Sequence, residues 1–212
     1  MSAPDLNGFN MNTALTALIK ADADLKPLFD TYEAPMLSLG QNYFWSLCRS
    51  IIYQQLSGKV AKTIADRFIA LYKNKKYPNP REVLNTDLKI LRGIGLSAAK
   101  ASYIHNIAKT FLDDVIQFEN FSHMSDDEIK DQLIKIKGVG PWTVEMFLIF
   151  TLNRPDIFPA TDLGIQKGYQ RYYKLKTLPK PNDMINRAEH WRPYRSVVTL
   201  YLWYAVEGPF DW

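Results

Sequence analysis

The sequence predicts an all-α protein. Apolar residues recur at helical spacing along most of the chain, and no stretch alternates apolar and polar residues as a β-strand would. Segments rich in proline, such as KKYPNP, RPDIFP and LPKP, separate the periodic runs. The predicted helices span residues 11–20, 23–31, 41–54, 57–73, 97–112, 125–135, 141–152, 162–174, 182–190 and 193–206.

Composition limits the class of protein. The 212 residues are 47% apolar and 23% charged, which is typical of a globular chain. The net charge of +4 gives weak support for a polyanionic partner. A single cysteine, Cys48, excludes a disulfide framework and a four-cysteine metal or iron–sulfur site. The start MSAPDLNGFN lacks a secretory pattern and no apolar run reaches the length of a membrane span, so we expect an intracellular protein without membrane contact.

Two segments share an unusual pattern, in which one helix ends, a Gly-apolar-Gly triplet follows and a new helix begins. They are ILRGIGLSAAKASYIHNIA (90–108) and LIKIKGVGPWTVEMFLIF (133–150). The second helix pair starts at SDDEI, where Ser125 and Glu128 predict a capping box, so this acidic cluster needs no catalytic role. Two copies with unlike flanks are too few for a repeat array. The pattern predicts two tight helix–hairpin–helix corners.

The corner from Gly138 to Pro141 suits a turn between helices. Glycine accepts a positive φ or a close backbone approach, and proline fits the first turn of a helix. Turn chemistry alone could account for the motif. A functional interpretation adds that backbone N–H groups beside a helix N-terminus bind phosphate, and that Lys135 and Lys137 attract it. We therefore expect this corner to grip a DNA phosphate without reading base sequence.

The hairpin and the later segment FPATDLGIQKG resemble the helix–hairpin–helix–GPD superfamily of DNA base-excision glycosylases. Asp162 follows Gly140 by 22 positions, which is similar to the hairpin-to-aspartate distance of that family. The segment IIYQQLSGKVAKTIADRF resembles its DNA-wedging loop and helix. HWRPYRSVVTLYLWYAVEG resembles the C-terminal helix of the alkylpurine branch, the 3-methyladenine DNA glycosylase II group. The resemblance extends from about residue 15 to 208.

The resemblance implies a two-lobed fold in which residues 45–152 carry the hairpin and residues 1–44 and 153–212 form the second lobe. A flipped base would enter the cleft between them, and Asp162 would be the catalytic residue. An aspartate before a helical run is most often an N-cap, and both roles are compatible because a helix N-terminus favours an ionised carboxylate. Such an anion stabilises the positive charge that develops on the sugar, or orients water.

The resemblance also implies which side chains bind the base and the DNA. Stacking on a cationic alkylpurine calls for aromatic rings, although packing in the core is the alternative for each of them. The candidates for the base-binding pocket are Trp142, Trp203, Tyr53, Trp45 and Phe158. Gln55 would fill the gap left by the flipped nucleotide. The candidate DNA contacts are Gln54, Gln55, Leu56, Ser57, Lys59, Ser97, Lys100, Lys137, Gly138, Val139, Gly140 and Thr143.

Two further expectations concern cofactors. The carbonyl groups of Ile134, Ile136 and Val139 could hold a structural Na⁺ or K⁺ that bridges to the phosphate. No other cofactor is implied, and His105, His123 and His190 show no metal-ligand spacing.

The predicted function is hydrolytic removal of alkylated purines, chiefly 3-methyladenine and also 7-methylguanine, from double-stranded DNA by a monomer. Trp142 occupies the position at which lyase members of the family carry a Schiff-base lysine, so we expect a monofunctional enzyme that leaves an abasic site. Three alternatives stay open. They are a non-catalytic DNA-binding module, a helical protein-interaction scaffold, and a glycosylase for other damaged or mismatched bases.

Overall fold

The computed structural model describes residues 10–34, 42–72 and 76–208. These residues form α-helices and short 3₁₀ segments, and β-strands are absent from the described ranges. The all-α prediction is confirmed. The helices are α1 Met11–Ala21, α2 Lys26–Thr31, α3 Tyr43–Tyr53, α4 Gly58–Ala70, α5 Pro80–Leu84, α6 Leu88–Gly93, α7 Ala98–Leu112, α8 Asp126–Leu133, α9 Pro141–Phe150, α10 Leu163–Tyr172, α11 Pro181–Ala188 and α12 Arg195–Glu207.

Short elements account for most differences from the predicted helices. The sequence analysis overlooked α5, α6 and the 3₁₀ segment Phe118–His123, which have only five or six residues each. A segment this short carries too little periodicity to detect. Residues 41 and 73, the predicted ends of two helices, lie outside the described residues.

The chain divides into two compact units. We call residues 40–147 the hairpin unit, and residues 1–39 together with 148–212 the terminal unit. The boundary at residues 147 and 148 falls inside α9. Each unit has its own buried apolar residues, and each is described separately below.

The hairpin unit is built around α3 and α7. Both helices bury one face, which on α3 includes Leu47, Ile51 and Ile52. Stacked and edge-on aromatic pairs extend this core, among them Phe111 on Phe118 with ring centroids 3.9 Å apart. The remaining residues of α3 are only partly exposed, whereas the outer face of α7 carries exposed residues such as Ala98 and Lys109.

The terminal unit is organised by α12, which is buried on almost every side. Residues 196–203 are all at most 7% exposed, so this helix lies in the centre of its unit. Its close neighbour is α10, because a Cβ atom on Gly168 would lie only 2.2 Å from the carbonyl oxygen of Leu202. The Arg171 side chain also donates a 2.7 Å hydrogen bond to the carbonyl of Ala205. Close approach of α10 therefore depends on a glycine.

Asp22, at the end of α1, ties the N-terminal helices to α11 and the segment that follows it. Its carboxylate accepts hydrogen bonds from Arg187, at 3.1 Å from Nε and 3.0 Å from Nη2, and from the indole of Trp191 at 2.9 Å. The Asp22 side chain is 11% exposed and Trp191 is fully buried. The backbone N–H of Asp24 is a fourth donor to this carboxylate, at 3.2 Å. The carboxylate stabilises the structure because the buried indole N–H would otherwise lack an acceptor.

We predict that Asp22→Ala lowers the free energy of unfolding by about 2–4 kcal/mol, because the buried indole N–H of Trp191 loses its acceptor and the Arg187 guanidinium loses one of its two carboxylate partners. Asp30→Ala is the matched control, since Asp30 is exposed and pairs with exposed Lys26. It should change stability by less than about 1 kcal/mol. Urea unfolding measures both. Equal midpoints for the two variants would contradict the structural role of Asp22.

Candidate functional site

The corner between α8 and α9 has the backbone that its sequence predicts. Ser125 and Glu128 form the predicted capping box at the start of α8. Gly138 has a φ of 106°, and a Cβ atom there would lie 2.2 Å from Cγ of Tyr103 on α7. Both the backbone conformation and the close approach exclude a side chain. Glycine at position 138 is thus required by the geometry of the turn.

The N-terminus of α9 is open. The carbonyl of Gly140 accepts the N–H of Val144 at 3.1 Å, and Pro141 is the first helical residue. The space around a Cβ atom built on Gly140 is free of other residues to a distance of 4 Å, its chain neighbours aside. The first N–H groups of an α-helix lack partners within the helix, and Lys135 and Lys137 are exposed nearby in the chain. This arrangement is suited to an anion such as a backbone phosphate.

Gln54 connects the end of α3 to the hairpin. Its side-chain amide donates to the hydroxyl of Thr143 at 2.9 Å and to the carbonyl of Gly138 at 3.3 Å. Thr143 is 1% exposed, so its hydroxyl supports the hairpin and does not reach a ligand at the surface. Val139 is 5% exposed and has only its backbone to offer. The Thr143 side chain therefore has a structural partner, and the expected DNA contact at this residue stays a prediction.

Lys100 supports the same loop from α7. Its ammonium group donates to the carbonyls of Ile52 at 2.9 Å and Gln54 at 2.7 Å, the last carbonyls around the end of α3. Burial lowers the pKa of Lys100. A cation at a helix C-terminus satisfies carbonyl groups and the helix dipole. The sequence analysis expected this amine beside a phosphate, whereas two of its three donors bind the protein's own backbone.

The loop held by Gln54 and Lys100 presents its next residues to solvent. Gln55 has a φ of 56°, a left-handed conformation that is unusual for a residue with a side chain. Leu56 is 38% exposed, and Ser57 and Lys59 are exposed as well. Ser57 occupies the N-cap position of α4 as expected, but its hydroxyl makes no capping bond. Strained exposed residues on a braced loop are typical of functional sites.

The second Gly-apolar-Gly triplet forms a related corner with a shifted register. Gly95 has a φ of 111° and lies three residues before the start of α7, as Gly138 lies three residues before α9. The left-handed residue is thus the second glycine of one triplet and the first of the other. Ser97 caps α7, its hydroxyl accepting the N–H of Lys100 at 3.2 Å, as predicted. The sequence repeat corresponds to a structural repeat, offset by two residues.

Asp162 in the terminal unit is the N-cap of α10. Its Oδ1 atom accepts the backbone N–H of Ile165 at 2.8 Å and the indole N–H of Trp203 on α12 at 2.9 Å. Donors from two different helices therefore converge on one oxygen. Hydrogen bonds of this kind stabilise a negative carboxylate and fix its orientation.

Trp203 contributes more than a stacking surface. It is 7% exposed, and its ring stacks on Phe150 at 5.5 Å with an interplanar angle of 26°. Its indole edge carries the donor to Asp162. The sequence analysis placed Trp203 in the base-binding pocket; the structure shows it as a direct partner of the carboxylate.

Glu207 is a residue that the sequence analysis missed. It lies four residues after Trp203 at the end of α12, hence on the same face of the helix. Burial raises the pKa of the Glu207 carboxyl, and the negative charge of Asp162 raises it further, while Lys167 lowers it. A second carboxyl group thus lies within electrostatic reach of Asp162. In the sequence, its position four residues after Trp203 indicates that the two side chains share one face of a helix.

The remaining aromatic candidates differ in their surroundings. Within the hairpin unit, Trp45 stacks on Phe68 at 5.7 Å, and Tyr53 lies under the guanidinium of Arg49, 5.3 Å from the ring centre. Within the terminal unit, Phe158 is 9% exposed and packs edge-on against Trp191. Packing explains Trp45 and Phe158 well. Trp142 is half-buried at the second position of α9.

The described residues contain neither a candidate metal site nor a candidate membrane span. No group of three or more His, Cys, Asp or Glu side chains there is placed to hold a metal ion. None of the helices in those ranges combines the length and apolar character needed to cross a bilayer.

Comparison with known proteins identifies relatives of this chain. Residues 48–193 match the family model described as HhH-GPD superfamily base excision DNA repair protein. DNA-3-methyladenine glycosylase 1 of Schizosaccharomyces pombe is 34% identical over 201 residues, which cover 89% of this chain and 88% of the relative. A Bacillus subtilis relative is 32% identical, and the alignment covers 86% of this chain but only 66% of that longer protein.

A solved structure has a similar fold. The S. pombe 3-methyladenine DNA glycosylase in complex with abasic DNA superimposes with a TM-score of 0.86 at 32% identity, and the match covers 94% of this chain and 100% of that one.

We predict that Lys100→Met lowers the free energy of unfolding by about 1–3 kcal/mol. Methionine keeps the apolar stem, but the carbonyls of Ile52 and Gln54 lose their donor. Lys89→Met, on the exposed surface of α6, is the control and should change stability by less than about 0.5 kcal/mol. Chemical denaturation measures both, and a Lys100→Met variant as stable as the control would contradict the bracing role.

Proposed function

Because the chain belongs to the HhH-GPD superfamily of base excision DNA repair proteins, we propose that it is a DNA-3-methyladenine glycosylase. It hydrolyses the N-glycosidic bond of alkylated purines in double-stranded DNA, chiefly 3-methyladenine and also 7-methylguanine. The observation that carries this proposal is the carboxylate of Asp162, held at the N-terminus of α10 by two N–H donors. The S. pombe relatives are 3-methyladenine DNA glycosylases, which supports 3-methyladenine as the main lesion.

Asp162 supplies the negative charge that the reaction needs. Cleavage of the N-glycosidic bond leaves positive charge on the sugar, and a fixed anion stabilises that charge without having to reorganise. The same carboxylate can orient the attacking water. Ile165 and Trp203 hold the carboxylate before substrate arrives. The conformational entropy of its side chain is therefore lost on folding and not during the reaction. Asp162 is the catalytic residue of this proposal.

The leaving group explains why one acid can suffice. A 3-alkylated or 7-alkylated purine is already cationic, so it departs as a neutral base without being protonated first. Trp142 has no amine, so the residue that follows Pro141 cannot form a Schiff base with the sugar. The product is therefore an intact strand with an abasic site. Stacking on Trp142 and Tyr53 favours a cationic base by cation–π attraction of about 1–2 kcal/mol.

The hairpin unit binds the backbone phosphates of DNA. The N-terminus of α9 with Gly138, Gly140 and Lys137 binds one phosphate, and the α7 corner at Ser97 binds another. Gln55 occupies the space left by the flipped nucleotide, with the exposed Leu56, Ser57 and Lys59 beside it. Gln54 and Lys100 take part as braces of this loop, given their bonds to the protein backbone.

A monovalent cation fits the hairpin on chemical grounds. The carbonyls of Ile134, Ile136 and Val139 come from one short turn, and carbonyl oxygen is a ligand that Na⁺ and K⁺ accept. The carbonyl of Ile136 already accepts the N–H of Val139 at 2.9 Å, and a carbonyl has a second lone pair. Such an ion would add positive charge beside the bound phosphate.

We propose further that the enzyme acts as a monomer inside the cell, where its DNA substrate is.

We predict that Asp162→Asn lowers the rate of 3-methyladenine release from methylated duplex DNA by about 10²–10³-fold, because the amide lacks the negative charge. Asp30→Asn, an exposed carboxylate in the same unit, is the matched control and should release base at the native rate. Chromatography of the released base gives the rate. If the native protein binds DNA yet releases no base, the chain is a binding module or acts on another lesion.

We predict that Lys137→Ala weakens DNA binding mainly at low salt. Loss of one phosphate contact should reduce the slope of log K against log salt by about 1. Lys20→Ala, on the exposed face of α1, should leave the slope unchanged. Fluorescence anisotropy at several salt concentrations measures the slopes. Identical slopes for Lys137→Ala and the native protein would place Lys137 outside the interface.

A further inference from the structure

Gly164, the second residue of α10, lies where Asp162 and Trp203 meet. A Cβ atom built on Gly164 would be 2.9 Å from Oδ1 of Asp162, 3.0 Å from Cδ1 of Trp203 and 3.0 Å from Nε1 of Trp203. These are the two atoms joined by the indole-to-carboxylate hydrogen bond and a neighbour of one of them. Glycine is thus the residue that leaves room for this bond.

The indole of Trp203 has little freedom to move away from an added methyl group. Its ring stacks on Phe150, and the residue is 7% exposed. Its helix is also fixed against α10 by the close approach of Gly168 to Leu202. An added side chain at position 164 would therefore be accommodated by a shift of the carboxylate, of the indole edge, or of both.

Backbone conformation does not explain the glycine. Gly164 does not have the positive φ of Gly95 or Gly138, and it lies inside the first turn of a helix. Alanine is a better helix former than glycine, so on the grounds of helix stability alone alanine would be preferred here. What glycine provides at position 164 is space beside the carboxylate.

We propose that Gly164 is a positioning residue for the reaction: by lacking a side chain it allows Trp203 to hold Asp162 in its catalytic orientation. The inference rests on the proposed glycosylase function, since it assigns a role to a neighbour of the catalytic carboxylate. It adds a structural requirement to that function, beyond the presence of an aspartate at position 162. The carboxylate must be ionised and also held by both α10 and α12.

The first test is Gly164→Ala, assayed by single-turnover release of 3-methyladenine. We expect at least a tenfold lower rate, a dissociation constant for DNA within twofold of the native value, and a melting temperature that does not fall. Asp30→Ala is the control, because Asp30 lies in the same unit with an exposed carboxylate that pairs with exposed Lys26. It should react at the native rate.

A double-mutant cycle separates positioning from a general packing defect. Trp203→Phe keeps a ring against Phe150 but removes the N–H donor, so it should reduce the rate as Gly164→Ala does. If Gly164 acts through that hydrogen bond, adding Gly164→Ala to Trp203→Phe causes little further loss. Independent, multiplicative losses in the double variant would overturn the inference.

A measurement without catalysis completes the test. The indole N–H resonance of Trp203, assigned by its absence in Trp203→Phe, should move in Gly164→Ala and stay in place in Asp30→Ala. An unmoved resonance, or a Gly164→Ala rate within twofold of native, would overturn the inference. Failure of the native protein itself to release base is a different result, because it would remove the proposed function on which the inference rests.

Discussion

The convergence of two N–H groups on Oδ1 of Asp162 is the interaction on which the proposed function of the terminal unit depends. One donor is the backbone of α10 and the other is an indole carried by α12. The bond can form only where these helices approach closely, and Gly164 and Gly168 permit that approach at two successive turns of α10. The centre of this unit is consequently both its packing core and the support of the carboxylate that we propose to be catalytic.

In the hairpin unit, side-chain donors bond backbone carbonyl groups, whereas in the terminal unit N–H donors bond a carboxylate. Helix ends leave backbone groups without partners, and side chains from elsewhere in the unit satisfy some of them. Lys100 binds carbonyls around the end of α3, and Gln54 binds the carbonyl of Gly138. These bonds hold the turn before Gln55 and the corner before α9 in one arrangement. The proposed binding of phosphates by backbone N–H groups requires such bracing, because the backbone cannot be repositioned by a change of rotamer.

The sequence predicted the helical class and the identity of Asp162 as an N-cap, because both follow from local rules. Periodicity marks long helices, and Ser125 and Ser97 mark helix starts through bonds within four residues. Local rules do not indicate where a side chain bonds a distant backbone group or a distant carboxylate. Lys100 is separated from Ile52 by 48 residues, Gln54 from Thr143 by 89 and Trp203 from Asp162 by 41. No local pattern distinguishes a lysine facing DNA from one facing a helix end, or a stacking tryptophan from a donating one.

The double role of Trp203 has a consequence for lesion selectivity. One face of its ring is covered by Phe150 and its edge is committed to Asp162, so any contribution to base recognition is bound to the orientation of the carboxylate. A change at Trp203 that improved stacking on one lesion would therefore also disturb the carboxylate that we propose to be catalytic for every lesion. Cation–π attraction of about 1–2 kcal/mol is also too small to account for strong discrimination by itself. Selectivity for alkylated purines therefore has to come largely from the substrate, whose positive charge makes the glycosidic bond easy to break once a fixed carboxylate faces the sugar.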